Sequence, residues 1–99
     1  MLFRSRRPDG RIEGHIIHID RFGNLVTDIR AELLGGRQLE IDVAGTRVAT
    51  VVRTYAEAPL GAVVALINSA DHLELAMRES SAAEALGIAR GATVTVRVA

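Results

Sequence analysis

Three side chains of different chemistry lie close together near the start of the chain: Asp20, Phe22 and Asn24. They stand between two apolar segments, and Gly23 can take the positive φ that a sharp reversal needs. In such a turn the three side chains can project from one edge of a sheet. There they could accept a hydrogen bond from an amine, stack on a ring and bind the edge of a purine. The alternative is that Asp20 and Asn24 only close the turn by bonding their own backbone.

A second polar turn, at residues 68–71, joins two further apolar segments. In a small barrel, both turns can lie at the same end. Together they would offer one carboxylate, one aromatic ring, two amides and one hydroxyl. This set suits a flat, amino-bearing ligand that is neutral or cationic, and it predicts a binding site rather than a reaction centre.

The sequence predicts no metal site and no catalytic residue. His15 and His18 are three apart on a predicted strand, which puts them on opposite faces, whereas zinc needs three or four converging ligands. Ser69 lies near Asp71 and His72, but the members of a catalytic triad normally come from distant elements.

Size and composition limit the classes of protein that fit. The chain has 99 residues, 48% of them hydrophobic, which predicts one globular domain. Twelve basic and twelve acidic residues give zero net charge, and this argues against a nucleic-acid or membrane partner. The absence of cysteine, of a signal-peptide core and of a membrane-spanning run predicts a cytoplasmic protein. Residues 1–9 are expected to form a flexible basic arm, and 10–99 a single domain.

The pattern of apolar residues predicts an all-β protein. Strands are expected at 12–19, 25–29, 38–43, 47–52, 62–67, 73–77 and 93–98. The first should place Ile17 with Ile19 on one face and Ile16 with His18 on the other. The segment 62–67 is almost entirely apolar, so it is expected to be buried on both faces.

The connections complete the predicted architecture. A single helical turn is expected at 31–34, and a short helix should begin after Ser80 or Ser81 and end at Gly87. Six or seven short antiparallel strands with one short helix predict a small closed β-barrel, because closure removes the exposed strand edges.

Two blocks of residues resemble one known domain. The first is Asp20-Arg21-Phe22-Gly23-Asn24-Leu25-Val26-Thr27-Asp28-Ile29, preceded by Gly14; the second is Asn68-Ser69-Ala70-x2-Leu73-Glu74-Leu75-Ala76. Tyr55 and Gly61 fit between them, and Ser81-Ala82-Ala83-x2-Leu86-Gly87-x3-Gly91-x2-Val94 follows. In order and spacing these residues resemble the C-terminal domain of the S-adenosyl-L-methionine (SAM) hydroxide adenosyltransferases and the related SAM-dependent fluorinases and chlorinases.

The resemblance implies a role for particular residues. Phe22 would pack on adenine, and Asn24 would bind its amino group and N7, a pairing that the asparagine amide fits. Asp20 would accept from the methionine ammonium. Further predicted contacts are Ser69 with Ala70 at the amino-acid end, and the backbone of Met77, Arg78 and Glu79 at the far edge of adenine.

The same resemblance implies a function and partners. The domain would be a β-barrel that binds SAM or adenosine as ligand, without a further cofactor, in half of a shared active site that converts SAM and water to adenosine and L-methionine. Ala70 stands where some halogenases carry an arginine, and it favours the hydrolase branch over the fluorinase. Either the catalytic N-terminal domain would reside on a separate chain or this chain would be a fragment of a longer one. The assembly would be a homo-oligomer, a trimer by resemblance. Glu79 and Ser80 stand where glycine or asparagine is common in the family. The alternative is a stand-alone, non-catalytic adenosine-binding or oligomerisation module.

Overall fold

The computed structural model describes residues 11–34 and 39–98. The predicted arm at 1–9 lies outside the described residues. Over these two ranges the chain forms seven strands, one short α-helix and two 3₁₀ turns. They are β1 (Arg11–Ile19), β2 (Leu25–Arg30), β3 (Leu39–Val43), β4 (Thr46–Val48), β5 (Val63–Ile67), β6 (His72–Met77), β7 (Thr93–Val98), α1 (Ala82–Leu86) and the 3₁₀ turns Ala31–Leu33 and Tyr55–Glu57.

The strands form one antiparallel sheet that curls into a nearly closed barrel. Their order is β4-β3-β7-β1-β2-β6-β5. The two ends of the sheet meet through the segment after β4, where the Ala65 N–H donates to the Thr50 carbonyl and the Val52 N–H donates to the Ala65 carbonyl, both at 2.9 Å. These bonds cover the free edge of β5 and bring the two ends of the sheet together. The mainly β barrel predicted from the sequence is confirmed.

The core fills the barrel with aliphatic side chains from alternate strand positions. Leu25, Ile29 and Leu75 are examples with no exposed surface. Within the described ranges, Thr27 is the buried polar exception; its hydroxyl donates to the Leu73 carbonyl at 2.8 Å and accepts from the Ile29 N–H at 3.1 Å. These two bonds lie where the pairing of β2 with β6 shifts register, so the hydroxyl satisfies backbone groups that the ladder leaves unpaired.

The structure corrects the prediction for β1 and limits the prediction for β5. A register shift between Ile16 and His18 breaks the alternation of β1, so Ile16 is buried while Ile17 and His18 are both exposed. In β5, the neighbouring residues Val64 and Ala65 lie on opposite faces and both are fully buried, so the middle of the strand is covered on both faces as predicted. Ile67, at the end of the strand, is 37% exposed, so this burial does not extend along the whole strand.

The 20–24 turn is fixed against the helix. The Gly23 carbonyl accepts from the Ala83 N–H at 2.9 Å, and Gly23 itself is buried with φ +84°. Helix α1 begins at Ser81, whose hydroxyl accepts from the Glu84 N–H at 3.1 Å, and ends at Gly87 as the sequence predicts. The turn and the start of the helix therefore form one packed unit where β2 begins.

Candidate functional site

The carboxylate of Asp20 organises the 20–24 turn. One oxygen, Oδ1, accepts from the backbone N–H of Phe22 at 2.9 Å and of Asn24 at 3.0 Å. The other, Oδ2, accepts from the side-chain amide of Asn24 at 3.0 Å. The turn-closing role considered for Asp20 is thus present, while its predicted contact with a ligand ammonium stays a prediction.

The bond to Asp20 sets the orientation of the Asn24 amide. An ionised carboxylate only accepts, so it must face the amide nitrogen of Asn24 and not the amide oxygen. The oxygen and the second N–H of that amide are left for a ligand. A group that presents one acceptor and one donor side by side matches the N6 amino group and N7 of adenine.

Opposing effects act on the Asp20 carboxyl, and the net result is a lowered pKa. Burial raises the pKa of Asp20, but the N–H groups of Asn24 and Phe22, the Asn24 amide and the charge of His18 together lower it more. The ionised form is therefore the one that the folded turn stabilises.

This lowered pKa predicts a specific acid sensitivity. The contribution of Asp20 to stability should be fully present above about pH 4, the ordinary aspartate range, and lost as the pH falls through its lower folded-state pKa. Urea unfolding of the native chain and of Asp20→Asn should show a difference in free energy of unfolding that is largest at neutral pH and shrinks below about pH 4. A difference that does not change between neutral and acid pH would contradict this account of the turn.

A cavity of about 610 Å³ lies beside this turn, on the outer face of the sheet. Its lining is mostly apolar and aromatic with a few polar groups, as is usual for a small-molecule site. The lining residues are Phe22, Asn24, Tyr55, Leu66, Glu74, Glu79 and Ser80. Among the predicted site residues, the structure thus brings Phe22, Asn24 and Glu79 together here.

The phenol of Tyr55 holds the far side of the cavity in place. It donates to the Met77 carbonyl at 2.8 Å and accepts from the Glu79 N–H at 2.7 Å. Glu79 has φ +60°, a left-handed conformation that favours glycine or asparagine and explains why those residues suit this position. Tyr55 therefore stabilises a turn whose backbone is strained for glutamate.

Met77 and Arg78 are not among the residues that line the cavity. The Met77 carbonyl accepts from Tyr55, and the Arg78 guanidinium reaches the Ala58 carbonyl at 3.4 Å. Both residues tie the 54–61 loop to the end of β6. Their predicted contact with adenine stays a prediction.

Ser69 and Ala70 lie at the opposite end of β6 from the cavity's Asn24. The pairing of Leu25 with Leu75 and of Arg30 with His72 sets the two polar turns apart by the length of the strand, about 17 Å at the usual rise per residue. The expectation that both turns share one end of the barrel is therefore wrong. A ligand that contacted both would have to lie along the outer face of β6.

Glu74 is a cavity residue that the sequence reasoning did not select. It pairs with Val26 on one side and with Leu66 on the other, and its Oε1 accepts from the Asn68 amide at 3.1 Å. The alternation of Leu73, Glu74 and Leu75 indicates that Glu74 points outward. Only the strand order shows what it faces.

The other cavities and the histidines give weaker sites. A smaller cavity of about 230 Å³ is lined by charged residues of both signs on β1, β3, β4 and β7, and Asp42 pairs with Arg47 across two of these strands. No group of acidic or histidine side chains suited to a metal occurs in the described ranges. His72 places Nδ1 2.7 Å from the Thr27 carbonyl, so this ring nitrogen contacts β2. No helix in the described part of the chain is long and apolar enough to cross a membrane.

Comparison with known proteins identifies related sequences. Residues 14–95 match the model of the SAM hydroxide adenosyltransferase C-terminal domain. The chain is 44% identical over 82 residues to the (R)-S-adenosyl-L-methionine hydrolase of Thermus thermophilus, a match that covers 83% of this chain and 31% of that protein. The chain thus spans about a third of the length of this curated relative.

Two crystal structures share the fold. One, of a conserved hypothetical protein from Thermus thermophilus, is 38% identical with a TM-score of 0.71, and the match covers 99% of this chain and 38% of that one. The other, of an uncharacterized conserved protein from Thermotoga maritima, is 20% identical with a TM-score of 0.77 and covers 98% of this chain and 41% of that one. At that identity the second shows the fold alone.

Proposed function

Because the chain belongs to the family of SAM hydroxide adenosyltransferase C-terminal domains, we propose that its outer-face cavity binds the adenosine part of SAM. The observation that carries the proposal is the position of Asn24. Its amide is oriented by Asp20, it lines a cavity of about 610 Å³, and it lies in the segment that matches the family. The aromatic rings of Phe22 and Tyr55 line the same cavity.

The proposed pose follows from these groups. Adenine presents its N6 amino group and N7 to the amide of Asn24, and its ring packs against Phe22. The guanidinium of Arg21 lies 5.0 Å from the centre of the Phe22 ring and covers one face, which leaves the opposite face for a planar ligand. Ser80 and the strained turn at Glu79 close the other side.

The reaction proposed for the complete site is hydrolysis of SAM. Water attacks the C5′ carbon, the bond from C5′ to sulfur breaks, and adenosine, L-methionine and a proton are the products. We assign no catalytic residue to this chain; the groups that activate water would come from an N-terminal domain, on a separate chain or a neighbouring subunit. The location would be cytoplasmic.

Exposed apolar side chains beside the cavity support a partner surface there. Phe22 is 65% exposed and Tyr55 is 42% exposed, and both line the cavity. Apolar surface of this kind is typical of interaction sites when it clusters at a cavity. A homo-oligomer in which the neighbouring subunit covers the cavity, a trimer by family resemblance, is the arrangement that we propose.

Calorimetric titration with adenosine tests the proposal. The native chain should bind adenosine saturably, and Asn24→Ala should weaken binding by about 10- to 100-fold, since a paired polar contact is lost. Asp42→Ala is the matched control, because the Asp42 side chain also orders a turn, accepting from the Gly45 N–H at 3.1 Å, but does not line the cavity. Absence of binding, or an equal loss in both variants, would reject the assignment.

A further inference from the structure

Glu74 occupies the middle of the proposed ligand path. Across the sheet it pairs with Val26, and Asn24 lies two residues before Val26, so the side chains of Glu74 and Asn24 are diagonal neighbours at about 7–8 Å. On its other side the Glu74 carboxylate accepts a hydrogen bond from the side-chain amide of Asn68, the residue before Ser69. It therefore lies between the group proposed to bind adenine and the turn predicted to hold the amino-acid end.

Among the described residues, no cationic side chain forms an ion pair with Glu74. Its cross-strand partners, Val26 and Leu66, are apolar, and the hydrogen bond that it accepts from Asn68 comes from a neutral amide. Among the described residues that line the cavity there is no lysine, arginine or histidine, and Glu79 adds a second carboxylate. A half-buried carboxylate with apolar neighbours favours a positive charge placed close to it.

Taking the proposed function as given, we propose that Glu74 selects ligands that carry the sulfonium charge of SAM. In SAM the sulfonium lies between the adenosine and amino-acid parts, as Glu74 lies between Asn24 and the 68–71 turn. A sulfonium has no N–H or O–H to donate, so a nearby carboxylate is the appropriate way to stabilise it. Hydrolysis removes this charge, so neither adenosine nor methionine retains the attraction and release of both products is favoured.

The test compares three ligands on the native chain and on Glu74→Gln. S-adenosylhomocysteine keeps the adenosine and amino-acid parts but has a neutral sulfur. The native chain should bind SAM about tenfold more tightly than S-adenosylhomocysteine, and Glu74→Gln should bring the two affinities to within about twofold. Adenosine affinity should not change. Glutamine keeps the acceptor for Asn68, so the fold is preserved.

A further variant makes the result specific. Glu40→Gln removes an exposed carboxylate on β3 that does not line the cavity, and it should keep the preference for SAM. An equal loss with Glu40→Gln would assign the selection to overall charge and overturn the role of Glu74. Equal weakening of SAM and S-adenosylhomocysteine by Glu74→Gln would overturn the sulfonium assignment. If none of the three ligands bound, the proposed function itself would fail.

Discussion

Replacing Gly23 by alanine should destabilise the folded chain by about 3 kcal/mol or more, the largest effect that we expect of any single change. A Cβ at this position would overlap the Ser81 hydroxyl oxygen and lie 2.8 Å from the Ser81 Cα. The second contact is with backbone, so side-chain rotation cannot relieve it. Displacing Ser81 would also remove the hydroxyl that caps α1.

Gly45 provides the matched control for this substitution. Its φ of +87° is close to the +84° of Gly23, but a Cβ there meets nothing within 4 Å. Gly45→Ala should therefore cost only the backbone term, about 1–2 kcal/mol. Urea unfolding of both variants measures the difference. Equal destabilisation would show that the contact of the 20–24 turn with α1 is not as close as described.

Adenosine should bind about 10- to 100-fold more tightly than inosine. Inosine keeps N7 but replaces the N6 amino donor with a carbonyl oxygen. The Asn24 amide oxygen would then face another acceptor, because the bond from its nitrogen to Asp20 prevents the amide from turning over. Competition calorimetry with the two nucleosides on the native chain measures the ratio.

Asp20→Asn tests the orienting role of the carboxylate. An asparagine side chain can still accept from the backbone N–H groups of Phe22 and Asn24, but it lets the Asn24 amide adopt either orientation. The variant should bind adenosine more weakly and should lose most of the preference over inosine. A ratio unchanged from the native chain would show that Asp20 serves the turn alone.

Most of the fold follows from local sequence. The alternation in 39–43 and 93–98, the apolar runs around residues 64 and 75, and the cap at Ser81 each indicate the element that forms there. The register shift at Ile17 could not be predicted from local sequence, because a bulge depends on the partner strand and not on the strand's own pattern. Likewise β4 ends at Val48, before the predicted end, because the following residues pair with β5 instead.

Apart from Glu79, which the family resemblance indicated, the candidate site was predictable only where its residues are contiguous. Phe22 and Asn24 lie in one turn, so their types and spacing identify them. Tyr55, Leu66 and Glu74 come from three separate elements, and they meet because the strand order places β6 between β2 and β5. The same strand order separates Ser69 from Asn24. No local pattern carries that information.

Nuclear magnetic resonance of the ¹⁵N-labelled chain tests most directly whether adenosine binds at the outer-face cavity. On titration with adenosine, the side-chain amide of Asn24 and the backbone amides of Glu74, Glu79 and Ser80 should shift together and saturate. The amides of Asp42 and Thr95, at the charged cavity on the other side of the barrel, should stay in place. Shifts confined to that charged cavity, or no saturable shift at Asn24, would contradict the account.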